Sequence, residues 1–412
     1  MNQYLLINHI QVQGANAVAG FTWGFPAITH FLGFTHHLTY KLAKARKERL
    51  EKRVKNAVTE EFDHLILSGC AVIAHSHQVH TYAFNQFVQH RTTAFQYKEQ
   101  SKYKVGTPPV IEEGKMDMNV SLIIACEGDI GGDRKEEFIE WLKTNCQLQR
   151  LAGGTILEIS SIDFFTIDNE KNGGNLRAMT RQLLPGFVLL DRSAYLEKHF
   201  QTLQAINPEA ELFDAWMDFI ALKQKARPIY DSINRHLTQL LDKQPKNDDI
   251  QQLFNVWQQH LDEPYDQNKI PVELANYFST IDENKVNKKL LEQWRSYCEP
   301  NENTDAVWEY VNKPEPGFLV PIMTGYKAIS PVYKNHEVAS TRDNEADVCF
   351  VEAVHSIGEW QGVHRIKDVN HLRQALWDYH YETNWYLCRQ KTACELSGNP
   401  EAIDVPLNDD YS

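Results

Sequence analysis

Four strand-like segments and two amphipathic helices follow one another in the order β-α-β-β-α-β, and that order limits the fold more than any other feature. Residues 4–13 (YLLINHIQVQ) are apolar-rich and strand-like. Residues 28–55 carry Ile28, Phe31, Leu32, Leu38 and Leu42 near a 3.6-residue period, then a charged tail, and predict a helix. Residues 64–80 contain the β-branched run of a buried strand. Residues 115–127 alternate and then turn continuously apolar, again a strand. A helix is expected over 134–151, opening in an acid-rich turn, and a further strand over 154–167. Together these predict an α+β chain with a ferredoxin-like domain: an antiparallel sheet with two helices on one face. RNA-recognition modules use this topology, but so do unrelated enzymes, so it fixes no function.

Between the second and third strands, residues 84–109 form a connection too long for a simple hairpin. It holds five aromatics (Phe84, Phe87, Phe95, Tyr97, Tyr103) and Arg91, Lys98, Lys102 and Lys104 against Glu99. Disordered segments are poor in aromatics, so a functional, thumb-like loop is expected over 84–110. Residues 200–315 read as a separate all-α insertion, with Leu253, Val256, Trp257 and Leu261 in one apolar stripe. Strand chemistry returns in residues 316–412, expected to rejoin the first domain, residues 1–199; the extreme tail is expected to fray.

Charge separates these regions. The net charge is −13, which argues against coating nucleic acid by bulk electrostatics. Yet residues 1–110 carry 12 Lys+Arg against 6 Asp+Glu, whereas residues 200–315 carry 12 against 20. A basic front and an acidic helical segment imply different partners. No apolar run nears the roughly 20 residues that span a bilayer, and no basic leader opens the chain, so no membrane association and a cytoplasmic location are expected. The seven cysteines form no C-x-x-C pair and are expected as buried thiols, with neither a zinc site nor a disulfide framework.

The loop from Gly14 to Pro26 combines backbone freedom at Gly14 and Gly20, a rigid Pro26, the amide of Asn16 and the flat ring of Trp23. It suits a flat, polar ligand such as a nucleobase. It equally suits Trp23 packing under the first helix while Asn16 shapes a turn. Gly153-Gly154 after Arg150 could leave backbone amides open to a phosphate, or make a plain helix-to-strand turn. His75 and His77 alternate, so they share a strand face; without a supporting carboxylate or cysteine they are expected to be solvated or ligand-facing, and no metal is expected. His36 and His37 are adjacent on a helix and cannot face one ligand together. Glu112-Glu113 is expected to be solvated. No nucleophilic triad, P-loop or H-E-x-x-H occurs, and no cofactor is expected.

Particular phrases in the chain resemble a known family. These are IQVQGANAV and TWGFPAITHFLGF near the start, IEEGKMDMNVSLII (111–124) and QRLAGGTIL (149–157). TRQLLPGFVLLDR (180–192), GFLVPIMTGYKAISPVY (317–333) and TRDNEADVCFVEAVHSIGEW with GVHRI (341–366) continue the match in order. The chain thereby resembles the second-subunit family of type I-F CRISPR surveillance (Csy) complexes, relatives of the Cas-five proteins.

The resemblance implies a non-catalytic subunit in antiviral defence. It would grip the 5′ handle of the CRISPR RNA, pair with the large subunit at the foot of the complex and touch the neighbouring backbone subunit. Candidate RNA contacts are then Asn16 and Trp23 in the first loop, Phe84, Asn85, Arg91 and Lys98 in the thumb-like loop, and Arg150 and Gly153. Arg181, Arg342, His364 and Arg365 lie in family-like phrases and would bind phosphate or make structural salt bridges. The 200–315 segment is longer than the family leads one to expect. Two alternatives follow: an enlarged variant that replaces the large subunit and touches double-stranded target DNA near its recognition motif, or a metal-independent CRISPR RNA endoribonuclease.

Overall fold

Alternation along the first strand, β1 (Asn2–Asn16), sets the layering. Leu5, Ile7, Ile10 and Val12 are buried with Ile28, Phe31, Leu38 and Phe138 on one side. Tyr4 and Leu6 point to the other, among Ile123, Met179 and Leu372. Successive strand side chains leave opposite faces, so one strand feeds two cores. Past Leu6 the second face of β1 turns polar.

In this computed structural model the described residues are 2–52, 62, 64–82, 86–91, 96–99, 102–106, 110–128, 134–167, 173–263, 269–281, 288–341, 345–392 and 396. They divide by contact into one unit of Met1–Ile220 with Glu315–Ser412 and another of Ala221–Pro314.

The first unit continues with α1 (Ile28–Lys52), β2 (Ile66–Val79), β3 (Lys115–Glu127), α2 (Lys135–Gln147) and β4 (Gly154–Ile167). Then come α3 (Gly173–Gln182), β5 (Phe187–Asp191), α4 (Ser193–Ile206) and α5 (Leu212–Ile220). The second unit holds β6 (Gln224–Pro228), α6 (Asp231–Lys243), α7 (Asp248–Asp262), α8 (Val272–Ser279), α9 (Lys288–Cys298) and β7 (Ala306–Tyr310). The chain returns to the first unit through β8 (Leu319–Ala328), β9 (Val351–Gly362), α10 (Val369–Gln374), β10 (Trp377–Glu382) and β11 (Trp385–Gln390).

The fold is mixed α/β around a large antiparallel sheet. Ten strands stand in the order Arg150–Leu151, β4, β1, β3, β2, β5, β9, β8, β11, β10. The four strands expected from the sequence are neighbours, β4-β1-β3-β2, and α1 and α2 pack on one face of them. The opposite face is partly covered by Leu176 and Met179 of α3 and by Val363, Ile366 and Leu372. A single ladder pair, Trp377 with Cys70, brings β10 back to β2 and closes six strands into a circuit. Trp377 is fully buried there, its Nε1–H donating to the Leu189 carbonyl at 3.1 Å.

Two details of the helical region depart from the sequence reading. The onset of helix suggested a boundary at 200, but α4 and α5 bury Leu196, Trp216 and Phe219 against Leu319 of β8 and Ile357 of β9, within the first unit. The second unit is not purely helical either, because β6 and β7 pair as an antiparallel ribbon. Arg227 in that ribbon is 3% exposed. Its Nη2 donates to the Glu263 carbonyl at 2.6 Å, at the C-terminal end of α7, and its Nε lies 2.8 Å from Glu309. A cation is favoured where helix carbonyls end, and this one ties ribbon to helix. Arg227→Ala is therefore expected to destabilise the second unit by about 2–3 kcal/mol, read as a lower urea midpoint. Trp257, Tyr297, Phe278 and Leu237 form its core.

Candidate nucleic-acid interface

The end of β1 and the loop that follows it are shaped by hydrogen bonds to nearby polar side chains. Gly14 has φ +66° and donates its N–H to Asp117 Oδ1 at 2.8 Å. Asn16 Oδ1 accepts from the Val18 N–H at 3.0 Å while its Nδ2 donates to the Val18 carbonyl at 2.8 Å. Both ends of that amide are thus engaged in a turn. Thr22–Trp23 pairs with Val18–Ala19, and Trp23 packs half-buried against the core beneath α1. The exposed ring of the loop is Phe21, 67% exposed, tilted against His355 at 4.1 Å between centroids and edge-on to Trp216 at 5.4 Å. Phe21 is not among the residues that the sequence singles out. Its signal was a place at the tip of a Gly20-Phe21 turn, where a side chain points away from both strands.

Arg150 and Gly153 meet this loop. Ala152 and Gly153 both have positive φ, +50° and +77°, and form the two-residue turn of a hairpin between Leu151 and Gly154. The Asn16 N–H donates to the Ala152 carbonyl at 2.8 Å. Gly154 is required by space, since a Cβ there would lie 2.7 Å from the Ala15 nitrogen. Arg150 is exposed, its Nη1 3.5 Å from the Gly153 carbonyl.

A second group gathers from chain positions about 180 residues apart. The Leu184 N–H donates to the Arg181 carbonyl, and the Val363 N–H donates to the Gly186 carbonyl at 3.0 Å. The turn over 184–186 therefore joins the end of α3 to the 362–366 segment. Arg181, His364 and Arg365 are all exposed there. Arg177, one turn before Arg181, is exposed as well, and α3 carries no acidic residue in its first turn. Arg177 was not singled out from the sequence; its i, i+4 spacing from Arg181 is the signal that places both on one helix face.

That turn abuts a polar patch on the sheet. A bulge in β1 gives His9 a φ of +49° and displaces the ladder between Ile7 and Ile10. His9 thereby stacks on His75 of β2, ring centroids 4.0 Å apart. His75 Nδ1 lies 2.8 Å from the Pro185 carbonyl and Nε2 2.7 Å from Ser121 Oγ. Burial holds the His75 pKa below its ordinary value; the hydrogen bond to Pro185 opposes this, and the nearby His9 adds to it. Burial likewise lowers that of His355.

The 84–110 segment takes part in two antiparallel ribbons, Gln86–Arg91 with Val110–Glu113, which runs on past it, and Gln96–Glu99 with Lys102–Val105. Lys98, Lys102, Tyr103 and Lys104 are exposed on the second. Arg91 belongs to the first, its side chain outside the described residues; Phe84, Asn85 and Arg342 lie wholly outside them. Among the described residues no group of three or more His, Cys, Asp or Glu could hold a metal ion, and no helix is long and apolar enough to cross a membrane.

Residues 5–388 match the family described as CRISPR-associated protein (Cas_Csy2). The chain is also 27% identical over 400 residues to the CRISPR-associated protein Csy2 of Pseudomonas aeruginosa (strain UCBPP-PA14), covering 94% of each protein.

Proposed function

The chain belongs to the Csy2 family of CRISPR-associated proteins, and from that premise we propose that it binds the 5′ handle of CRISPR RNA as a non-catalytic subunit of a type I-F surveillance complex. The handle lies on the sheet face bordered by α3 and the 362–366 segment, with the thumb-like ribbons as a further contact. The domain is ferredoxin-like in this reading, supported by the strand order β4-β1-β3-β2 and by α1 and α2 sharing a face. The acidic 200–315 region faces protein, namely the large subunit, and a backbone subunit lies beside the handle.

One observation carries the assignment. Arg181, His364 and Arg365 arrive from distant parts of the sequence at one hydrogen-bonded turn, exposed, beside a polar sheet patch. Single-stranded RNA needs such cations for phosphate and such a patch for base edges. The first-loop candidates Asn16 and Trp23 have strong internal engagements, so they act chiefly by holding the loop that presents Phe21 and meets the hairpin of Arg150.

The test is binding of a short RNA bearing the 5′ end of the CRISPR repeat to the full-length chain. Arg181→Glu with Arg365→Glu is expected to weaken it by about tenfold or more and to flatten the salt slope by about one unit for each phosphate no longer neutralised. Lys246→Glu, in the second unit and exposed, serves as the control and is expected to leave affinity unchanged. Equal weakening at both sites would mean bulk charge rather than a site, and would reject the assignment.

A further inference from the structure

We propose that the His9–His75 pair is a protonation-coupled phosphate site, so that RNA binding at this face takes up a proton. The inference rests on the RNA-binding reading above and adds to it a named anchor and a pH dependence.

The argument begins with hydrogen-bond arithmetic. Ser121 Oγ lies within hydrogen-bond distance of three groups: the His9 N–H at 2.8 Å, His75 Nε2 at 2.7 Å and Asn8 Oδ1 at 2.9 Å. A hydroxyl has one proton to give. His75 Nδ1 faces a carbonyl, which can only accept, so Nδ1 carries a hydrogen. With Asn8 oriented oxygen-first, Ser121 donates to Asn8, and Nε2 must then donate to Ser121: His75 is an imidazolium. With the Asn8 amide reversed, its Nδ2 donates to Ser121, Ser121 donates to Nε2, and His75 is neutral. A single amide flip satisfies Ser121 and both His75 nitrogens in either state. The cluster is therefore built to hold His75 with or without its second proton, at little structural cost.

What sets the balance is the surrounding charge. On β1 stand Asn8 and His9; on β3, Ser121 and Asn119, the latter 3.2 Å from His9 Nδ1, with Asp117 two residues further along. On β4, Ser161 faces Asn8 and gives its hydroxyl to Asp163 at 2.8 Å. From the turn come the Pro185 carbonyl and, one step beyond, Arg181, His364 and Arg365. In the His75 balance burial weighs most against the proton, the hydrogen bond to the Pro185 carbonyl favours it, and His9 works against it. A phosphodiester entering beside the exposed cations would supply the missing negative charge. The His75 pKa then rises on binding, which by linkage means proton uptake and tighter binding at lower pH.

The bulge supports a functional origin. His9 is a non-glycine residue in the left-handed region, a conformation that costs about 1–3 kcal/mol and persists where its surroundings enforce it. Its result here is the stack on His75 and the N–H aimed at Ser121.

The experiment measures affinity for the same handle RNA between about pH 5 and pH 8, with proton uptake counted by calorimetry in two buffers of different ionisation heat. Wild type is expected to tighten by up to about tenfold per pH unit as the pH falls, and to take up as much as about one proton. His75→Gln keeps hydrogen bonding and removes the charge; it should bind with no pH slope and no uptake. His9→Phe keeps the ring stack, and its slope is expected to persist. A flat wild-type profile, or the same uptake in His75→Gln, overturns the proposal while leaving RNA binding intact. No binding at any pH overturns both readings.

Discussion

Gly325→Ala is expected to destabilise the larger unit by about 3–5 kcal/mol, lowering its melting temperature by roughly 10 °C. Gly325 sits in β8 at a shift in the ladder with β9, with φ +152°, a conformation that residues with a Cβ rarely adopt. It also faces β11 at Leu387. A Cβ at this position would lie 2.1 Å from the Tyr386 carbonyl oxygen and 2.9 Å from Leu387 Cα. Both obstacles are backbone, so no rotamer change relieves them. The remaining route is separation of β8 from β11, which in turn loosens β10 and the buried Trp377. Thermal melts give the magnitude, and hydrogen exchange in β10 and β11 locates it. An unchanged melting temperature would mean that the two strands part freely.

Trp257→Ala should have a comparable effect on the second unit, about 3–5 kcal/mol. The ring is fully buried, 5.4 Å from Tyr297 and 5.8 Å from Tyr230, with Nε1–H directed to Asn234 Oδ1 at 3.3 Å. Four helices meet around it, from Ile233 and Leu237 of α6 to Leu274, Phe278, Leu290 and Tyr297. Alanine leaves a cavity among the four helices and an unpaired Asn234 Oδ1. Limited proteolysis is expected to cut between residues 221 and 314 in this variant and not in wild type. Trp257→Phe, which retains most of the volume, should restore much of the resistance. Resistance of the alanine variant itself would show that the core is redundant there.

The first four strands and two helices were legible because each advertises its own burial. β1 reads Leu5, Ile7, Ile10 and Val12 against Tyr4 and Leu6, and α1 repeats its apolar residues near every third and fourth position. Periodicity of that kind is local. β5, β10 and β11 lacked it: Phe187–Asp191 is only five residues, and Trp377–Glu382 mixes aromatic with charged side chains. They become strands because neighbours present free edges, which no short window of sequence records. The ends of the helical unit escaped for the same reason, since α4 and α5 look like any amphipathic helices until Leu319 and Ile357 are placed beneath them.

The candidate interface divides in the same way. Arg181, His364 and Arg365 could be nominated one by one from the chain, but nothing in their spacing says that they share a turn. Asn16 and Trp23 were nominated together and do share a loop, where the turn and the core engage them, leaving Phe21 at the surface. His9 attracted no notice, because a histidine inside an apolar strand carries no signal of a bulge.

By itself, then, the amino-acid sequence determined the order of the first elements, the uneven charge and the family, all of which are written in contiguous residues. The ten-strand sheet, the return of β10 to β2, the meeting of α3 with the 362–366 segment and the His9–His75 stack were decided by tertiary structure alone. Each depends on hydrogen bonds between groups far apart along the chain, whose pairing is selected by the packing of the whole core rather than by any local preference.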